Sequence, residues 1–516
     1  MRFQRTLALV GVALVWLALG PWVLLAVAAL LLVPRVRYWL WPTREVVAGW
    51  AGAVVAATVL VVAVPDGWLP VPTGSGALVT DSYVGRPTFR QPLRLEMPAH
   101  PGLAADGAGT SYDAWSSGAS PGGGPVGESP RVATGWFGWE SCAELHVDRH
   151  DRLVAVCGRG SGPRVRVLDS DSLRPLATKV LPEADVPSED RCGRASYLDD
   201  DDRVVLATAD RRVFVVDTDD AEGKPDLTTV AVHDLGDVVP GEDCVVDLVP
   251  DWSGRIWFAT LLGRVGVVPY GGGVARALHL DEPIEHAISV DAEGGVYVAT
   301  VEAMTRVTAP RDGSPTVTWR APYDRPTTPT LLPDDLLATT DQAGDRLDVV
   351  VLRRADGEPV CRRAVTADGE GSTSVSLVSV GSGVVVTNTH GAGGPLGTRL
   401  GMTGDGGLTR VDVAGGDCAI RWRSDQVVPG TTPALSQRTG LLYASTKPHS
   451  WWGVNAWYLT AIDARTGRRV FSVRTGRSNR HATTPGGLSL GPGDAAYLAT
   501  RSGLVRVQDK QVAGQG

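Results

Sequence analysis

The side chains best suited to chemistry are six cysteines, Cys142, Cys157, Cys192, Cys244, Cys361 and Cys418, with none before residue 142. An even number confined to one region suits disulfides in an oxidising compartment. No pair has the C-x-x-C spacing of a zinc or thioredoxin-like redox site. His146 and His150 stand four apart, a metal-binding interval on a helix, but here they flank a β-turn. Asp217, Asp219, Asp220 and Glu222 depart from the D-x-D-x-D-G order of a calcium loop. The chain has no Gly-rich phosphate loop after a strand, no G-x-S-x-G and no zinc-protease signature. No catalytic or metal-ligating residue is therefore assigned, and no cofactor is predicted.

The elements that would position any site fall into three parts. Residues 7–33 and 46–64 are apolar runs without an ionisable side chain, and about 20 such residues span a bilayer core. Between them lie Arg35, Arg37 and Arg44, which the positive-inside bias assigns to the cytoplasm, so the chain beyond Asp66 is expected outside. Gly20-Pro21 interrupts the first run, leaving either one tilted helix or a hairpin broken at that point. Residues 1–65 are read as the transmembrane anchor of a multi-pass cell-membrane protein. Residues 66–134 are read as an extracytoplasmic linker, partly disordered, because a Gly/Ser/Pro stretch from about Ala104 to Pro130 suggests a flexible stalk or a long surface loop. The net charge of −8, with no Lys/Arg run after residue 45, excludes nucleic acid as a partner.

From residue 135 to 510 a short apolar strand recurs: Leu153 to Val156, Val204 to Thr208, Ile256 to Thr260, Val296 to Thr300, Leu336 to Thr339, Val384 to Thr387, Leu442 to Ser445 and Ala496 to Thr500. Intervals of roughly 40 to 57 residues fit one four-stranded blade per copy. The fold class is all-β, a β-propeller preceded by transmembrane helices, with eight blades expected and seven as the alternative. In the seventh copy, Ala461, Asp463, Thr466, Gly467, Phe471 and Gly476 fall at the spacing A-x-D-x-x-T-G-x-x-x-W-x-x-x-x-G, with Phe471 in the Trp position. This resembles the quinoprotein (PQQ-repeat) superfamily of eight-bladed propellers. The fifth copy keeps Asp356-Gly357 but has Cys361 at the aromatic position, and Trp319 and Trp422 are candidates for the docking aromatic elsewhere. The resemblance implies either cofactor-dependent enzymes or envelope-protein scaffolds. The adjacent cysteine pair and the Glu/Asn/Asp calcium set of the enzymes are not recognisable here, which places the chain nearer the scaffolds.

A propeller returns the start of each inner strand, and the loop between second and third strands, to one channel mouth. The expected binding face there comprises His286, Thr328, Thr432 and Thr484, with His390, His449, Trp451 and Trp452 on two long insertions. Thr-Thr-Pro triplets at 327, 431 and 483 start inner strands by the plain reading and form a polar ring by the sharper one. Trp451 and Trp452 either bind a partner or pack over the blade tops. Strand register pairs Cys142 with Cys157 and Cys192 with Cys244, leaving Cys361 with Cys418. The expected function is a membrane-anchored extracytoplasmic module binding or scaffolding envelope proteins or ligands. The alternatives are a PQQ-dependent oxidoreductase and a calcium-dependent propeller lactonase or lyase. The expected partners are the bilayer and a protein or small ligand outside the cytoplasm.

Overall fold

The computed structural model describes residues 2–104, 113–158, 162–182, 192–193, 195–269, 271–311, 313–391, 397–398, 400–450 and 453–510. Its body is a ring of eight antiparallel blades, each built on four strands. The inner strands are Cys142–Val147, Ser196–Leu198, Val245–Pro250, Ser289–Val290, Thr330–Leu332, Val378–Val380, Ala434–Ser436 and Thr483–Gly491, for blades 1 to 8 in order. All eight recurring apolar segments of the sequence lie on second strands. These strands are covered on both faces by neighbouring blades, as in Leu153–Cys157 and Ile256–Thr260, where every residue is buried. Outer strands such as Pro175–Val180 and Thr229–Asp234 alternate with period 2 because one face meets solvent.

Blades 4 and 5, and blades 6 and 7, dock through the aromatic of one outer strand and the turn glycine of the next blade. Trp422 of blade 6 covers Gly467 of blade 7 and donates its indole N–H to the Ala464 carbonyl at 3.0 Å. Trp319 of blade 4 covers Gly357 of blade 5 in the same way and donates to the Arg354 carbonyl at 2.9 Å. Both tryptophans thus take the docking role expected of them. The three disulfides pair as expected: Cys142–Cys157 within blade 1, Cys192–Cys244 between blades 2 and 3, and Cys361–Cys418 between the outer strands of blades 5 and 6.

The N-terminal helices are α1 (Arg2–Leu19), α2 (Trp22–Leu31), α3 (Pro34–Leu40) and α4 (Arg44–Ala63). Only α4 is, among the described residues, a single helix long and apolar enough to cross a membrane; α2 and α3 form a pair bent by 104°. Gly20-Pro21 does break the first run, with Gly20 at φ +98°. Arg5 Nη1 donates to the Trp41 carbonyl at 3.5 Å, which places the start of α1 beside the end of α3. At its other end α1 receives the amides of Gly76 and Ala77 on the Leu17 carbonyl, and Gly20 packs against Val454 of blade 7.

Three strands precede the repeats: β1 (Tyr83–Gly85), β2 (Ala119–Ser120) and β3 (Arg131–Trp136). β3 is the outer strand of blade 8, paired with Gly503–Gln508, so the propeller begins at 131 rather than 135. The stalk expectation is corrected as well, because the described part of 66–130 is packed. β1 extends blade 7 beside Arg469–Gly476, and Ala104 donates its amide to the Leu198 carbonyl of blade 2. The carbonyls of Ala114, Trp115, Ser117, Gly118 and Ser120 then accept from the amides of Val290, Leu331, Ser379, Leu435 and Gln437. Successive carbonyls therefore satisfy the distal ends of the inner strands of blades 4 to 7, whose N–H groups would otherwise be costly to bury. This segment closes the channel at the end opposite the mouth.

Two consequences are measurable. Gly467 has φ +71° and an added Cβ would lie 2.5 Å from Trp422, whereas Gly369, at φ +76°, has nothing within 4 Å. Gly467→Ala is expected to cost about 3 kcal/mol and Gly369→Ala about 1 kcal/mol, read from urea melts of the two variants. Buried Asp247 on the inner strand of blade 3 accepts from the Ile288 amide, and burial pushes its carboxyl from 3.8 up to about 7. Its protonated form belongs to the folded state, so the stability it contributes is fully present below about 4 and lost as pH rises through about 7. Asp247→Asn is expected to gain in Tm over the parent protein between pH 5 and pH 8.

Candidate functional site

The channel mouth gathers the entries to inner strands and the loops between second and third strands. At blades 6 to 8 these loops enclose a cavity of about 320 Å³. Thr431 and Thr483, the first residues of two Thr-Thr-Pro triplets, line it together with Lys447, Trp457, Asn479 and Arg501. Local folding positions each one. Thr431 ends a connector just before the inner strand of blade 7, Thr483 opens the inner strand of blade 8, Lys447 follows the second strand of blade 7, and Arg501 occupies the tight turn between Ala495–Thr500 and Gly503–Gln508. No acidic residue lines the cavity among the described residues.

The hydrogen bonds within this wall leave donors over. The Lys447 ammonium donates to the Met402 carbonyl, across from blade 7 to the long loop of blade 6. Lys447 is 1 % exposed, and burial lowers its pKa to about 8, so the cation persists at neutral pH. Asn455 donates its side-chain amide to Asn479 Oδ1, which leaves Asn479 a donor toward the cavity. Trp457 Nε1 and Thr403 Oγ1, both in the wall, are buried with no hydrogen-bond partner among the described residues. His481 nearby is buried, and desolvation aided by Arg480 and Arg477 lowers its pKa to about 4, so it is neutral.

The residues anticipated for this face separate. Thr432 and Thr484 are buried at 6 % exposure rather than facing the cavity, and the Thr484 hydroxyl donates to the Cys142 carbonyl at 2.7 Å, tying blade 8 to blade 1. Thr328 is likewise buried, and the carbonyl of its neighbour Thr327 accepts from Thr339 Oγ1 at 2.9 Å. His286 belongs to blade 4 and does not line the cavity; His390 and His449, half-buried and exposed respectively, lie on the blade 6 and blade 7 loops beside it. Trp451 and Trp452 lie outside the described residues. Lys447, Asn479 and Arg501 were not anticipated as ligand-facing groups. Lys447 carried one faint signal, being among only four lysines in a chain with 49 Lys and Arg.

A second polar cluster sits deeper along the axis. Glu144 Oε2 accepts from the Ser196 amide at 2.7 Å and the Ser196 hydroxyl at 2.6 Å, while His146 Nε2 lies 3.0 Å from the same hydroxyl. Ser196 thus gives its proton to the carboxylate and not to the imidazole, the reverse of an activated nucleophile. Burial lowers the His146 pKa to about 4, so the cluster acts as a neutral-imidazole clip between blades 1 and 2. His150 pairs instead with Asp219 at 2.7 Å on the surface. Among the described residues no group of three His, Cys, Asp or Glu side chains is placed to hold a metal. With all six cysteines committed to disulfides between non-adjacent positions, the residues present do not fit a quinone–calcium centre of the kind the fold resemblance implies.

No protein-family model matches the chain. A curated uncharacterized protein of Archaeoglobus fulgidus is 26 % identical over 334 residues, 54 % of this chain and 63 % of that protein. The chain therefore spans less than two thirds of that relative's length. Among solved structures, the quinohemoprotein alcohol dehydrogenase of Comamonas testosteroni superposes with a TM-score of 0.52 at 13 % identity, covering 81 % of this chain and 82 % of that one. A europium-containing methanol dehydrogenase gives a TM-score of 0.51 at 11 % identity, covering 77 % of this chain and 96 % of that one. At such identities the likeness concerns architecture alone. In fold, this chain resembles the quinoprotein-like eight-bladed β-propellers.

Proposed function

We propose that this protein is a membrane-anchored extracytoplasmic propeller that binds a protein or small ligand at its channel mouth. The observation that carries this reading is the asymmetry of the two ends. The distal end is filled by residues 113–122, whose backbone is hydrogen-bonded to four inner strands, whereas the mouth at blades 6 to 8 holds a cavity with unused donors. Exposed apolar side chains at the same mouth, Leu262, Leu400 and Met402, supply further contact area. The apolar helix α4, the disulfides and the arginines at 35, 37 and 44 support the orientation, with the helices embedded and everything after Asp66 outside. The hairpin of α1 and α2 supports a multi-pass anchor whose N-terminus is cytoplasmic.

The PQQ-dependent oxidoreductase and the calcium-dependent lactonase or lyase rest on architecture alone. Among the described residues no group of three His, Cys, Asp or Glu side chains is placed to hold the calcium ion of either.

Site-specific photo-crosslinking in intact cells tests the proposal. A crosslinker at Leu400 or His449 is expected to capture a discrete adduct that the same group at Gln91, on the distal side, does not. A membrane-impermeant amine-reactive probe should label exposed Lys224 on the propeller surface without cell lysis. Equal yields from both faces, or labelling only after lysis, would remove the reading.

A further inference from the structure

The mouth cavity combines three features that constrain its ligand. Its fixed charges are cationic, from Lys447 and Arg501, with no acid in the described wall. It presents donors with no acceptor, because Asn479 has its carbonyl taken by Asn455 and the Trp457 indole N–H has no partner among the described residues. Among the described residues Lys447 is held inside by one carbonyl, that of Met402, with no carboxylate paired to its charge. A buried cation without a counter-charge is costly, and so is a buried indole N–H without an acceptor. Both costs are relieved by one kind of guest, an anion with several acceptor oxygens. A phosphate group offers three or more such oxygens and the charge to match two cations. Met402, Pro429 and Pro485 leave an apolar side to the same cavity for an organic substituent.

Resting on the mouth-binding reading above, we propose that this cavity is the binding site of an organic phosphate, held by Lys447 and Arg501 with Asn479 and Trp457 as neutral donors. Two sources have this chemistry. Val454, seven residues after Lys447 on the same loop, packs on Gly20 at the apex of α1 and α2, so a lipid headgroup lies within reach of the loop that bears the ammonium. A soluble phosphate monoester is the other source.

The full-length protein in dodecylmaltoside micelles distinguishes them. Glycerol 3-phosphate is titrated by calorimetry, and in parallel the Tm is followed as phosphatidylglycerol is added to the micelles. Saturable glycerol 3-phosphate binding, weakened at least tenfold by Lys447→Met, supports a soluble ligand. A phosphatidylglycerol-dependent rise in Tm that Lys447→Met abolishes, without glycerol 3-phosphate binding, supports a headgroup. Should Lys447→Met fold poorly, Arg501→Gln, at an exposed turn, serves in its place with the same expected loss. Absence of both responses, equal responses in the variants, or equal affinity for succinate would overturn the phosphate assignment. Crosslinking from Leu400 that persists in such a case would leave the binding-module reading standing; loss of both would end both.

Discussion

Everything in this molecule depends on how the ring is closed. β3 comes from before the first blade and lies beside Gly503–Gln508 at the end of the last, so the two ends of the propeller sequence share one sheet. The seam imitates a covalent turn. Blade 8 has no chain connection between its third and fourth strands, and Gly127 takes the place of the missing turn glycine under Phe471 of blade 7. Asp509 holds that surrogate turn by accepting from the amides of Val126 and Gly127. Aromatic-on-glycine docking therefore continues around the seam as it does between covalently continuous blades.

The parts of the fold that could be read from the sequence are those whose environment leaves a simple signature. Second strands are sandwiched by neighbours, which makes them uninterrupted apolar runs, and all eight stood out for that reason. The disulfides followed once strand register was known, because Cys142 and Cys157 face each other across a hairpin and Cys192 and Cys244 enter adjacent inner strands. The segment before β3 was misread because glycine has two meanings. A Gly/Ser/Pro stretch signals flexibility when nothing is near it, but Gly124 and Gly127 are required here by the rings of Tyr443 and Phe471, which approach the backbone within 3 Å of an ideal Cβ. Composition cannot separate freedom from close contact.

The candidate site was legible at the level of its face and not of its residues. Two of the three Thr-Thr-Pro triplets border the cavity, where the first threonine, at 431 and 483, lines it while the second, at 432 and 484, is buried beside it. A register offset of one residue reverses which side chain faces inward. Lys447, Asn479 and Arg501 come from three different connections on two blades, and no periodic pattern links them. Their convergence is a product of the ring and becomes visible only once the blades are placed around it.

The route by which the chain leaves the helices has a mechanical consequence. Just beyond α4, Asp66 pairs with buried Arg166 of blade 1, the Gly67 amide bonds to the Trp136 carbonyl of blade 8, and Trp68 lies under Arg174. A load arriving along α4 meets these attachments, and it is divided between blade 8, which contains the seam, and its neighbour blade 1. The channel-closing segment 113–122 lies far beyond them in sequence, so tension is grounded before it can draw that backbone out of the axis. The helical segment and the closure are thus mechanically insulated from each other, so that a pull on α4 would reach the propeller without opening its distal end.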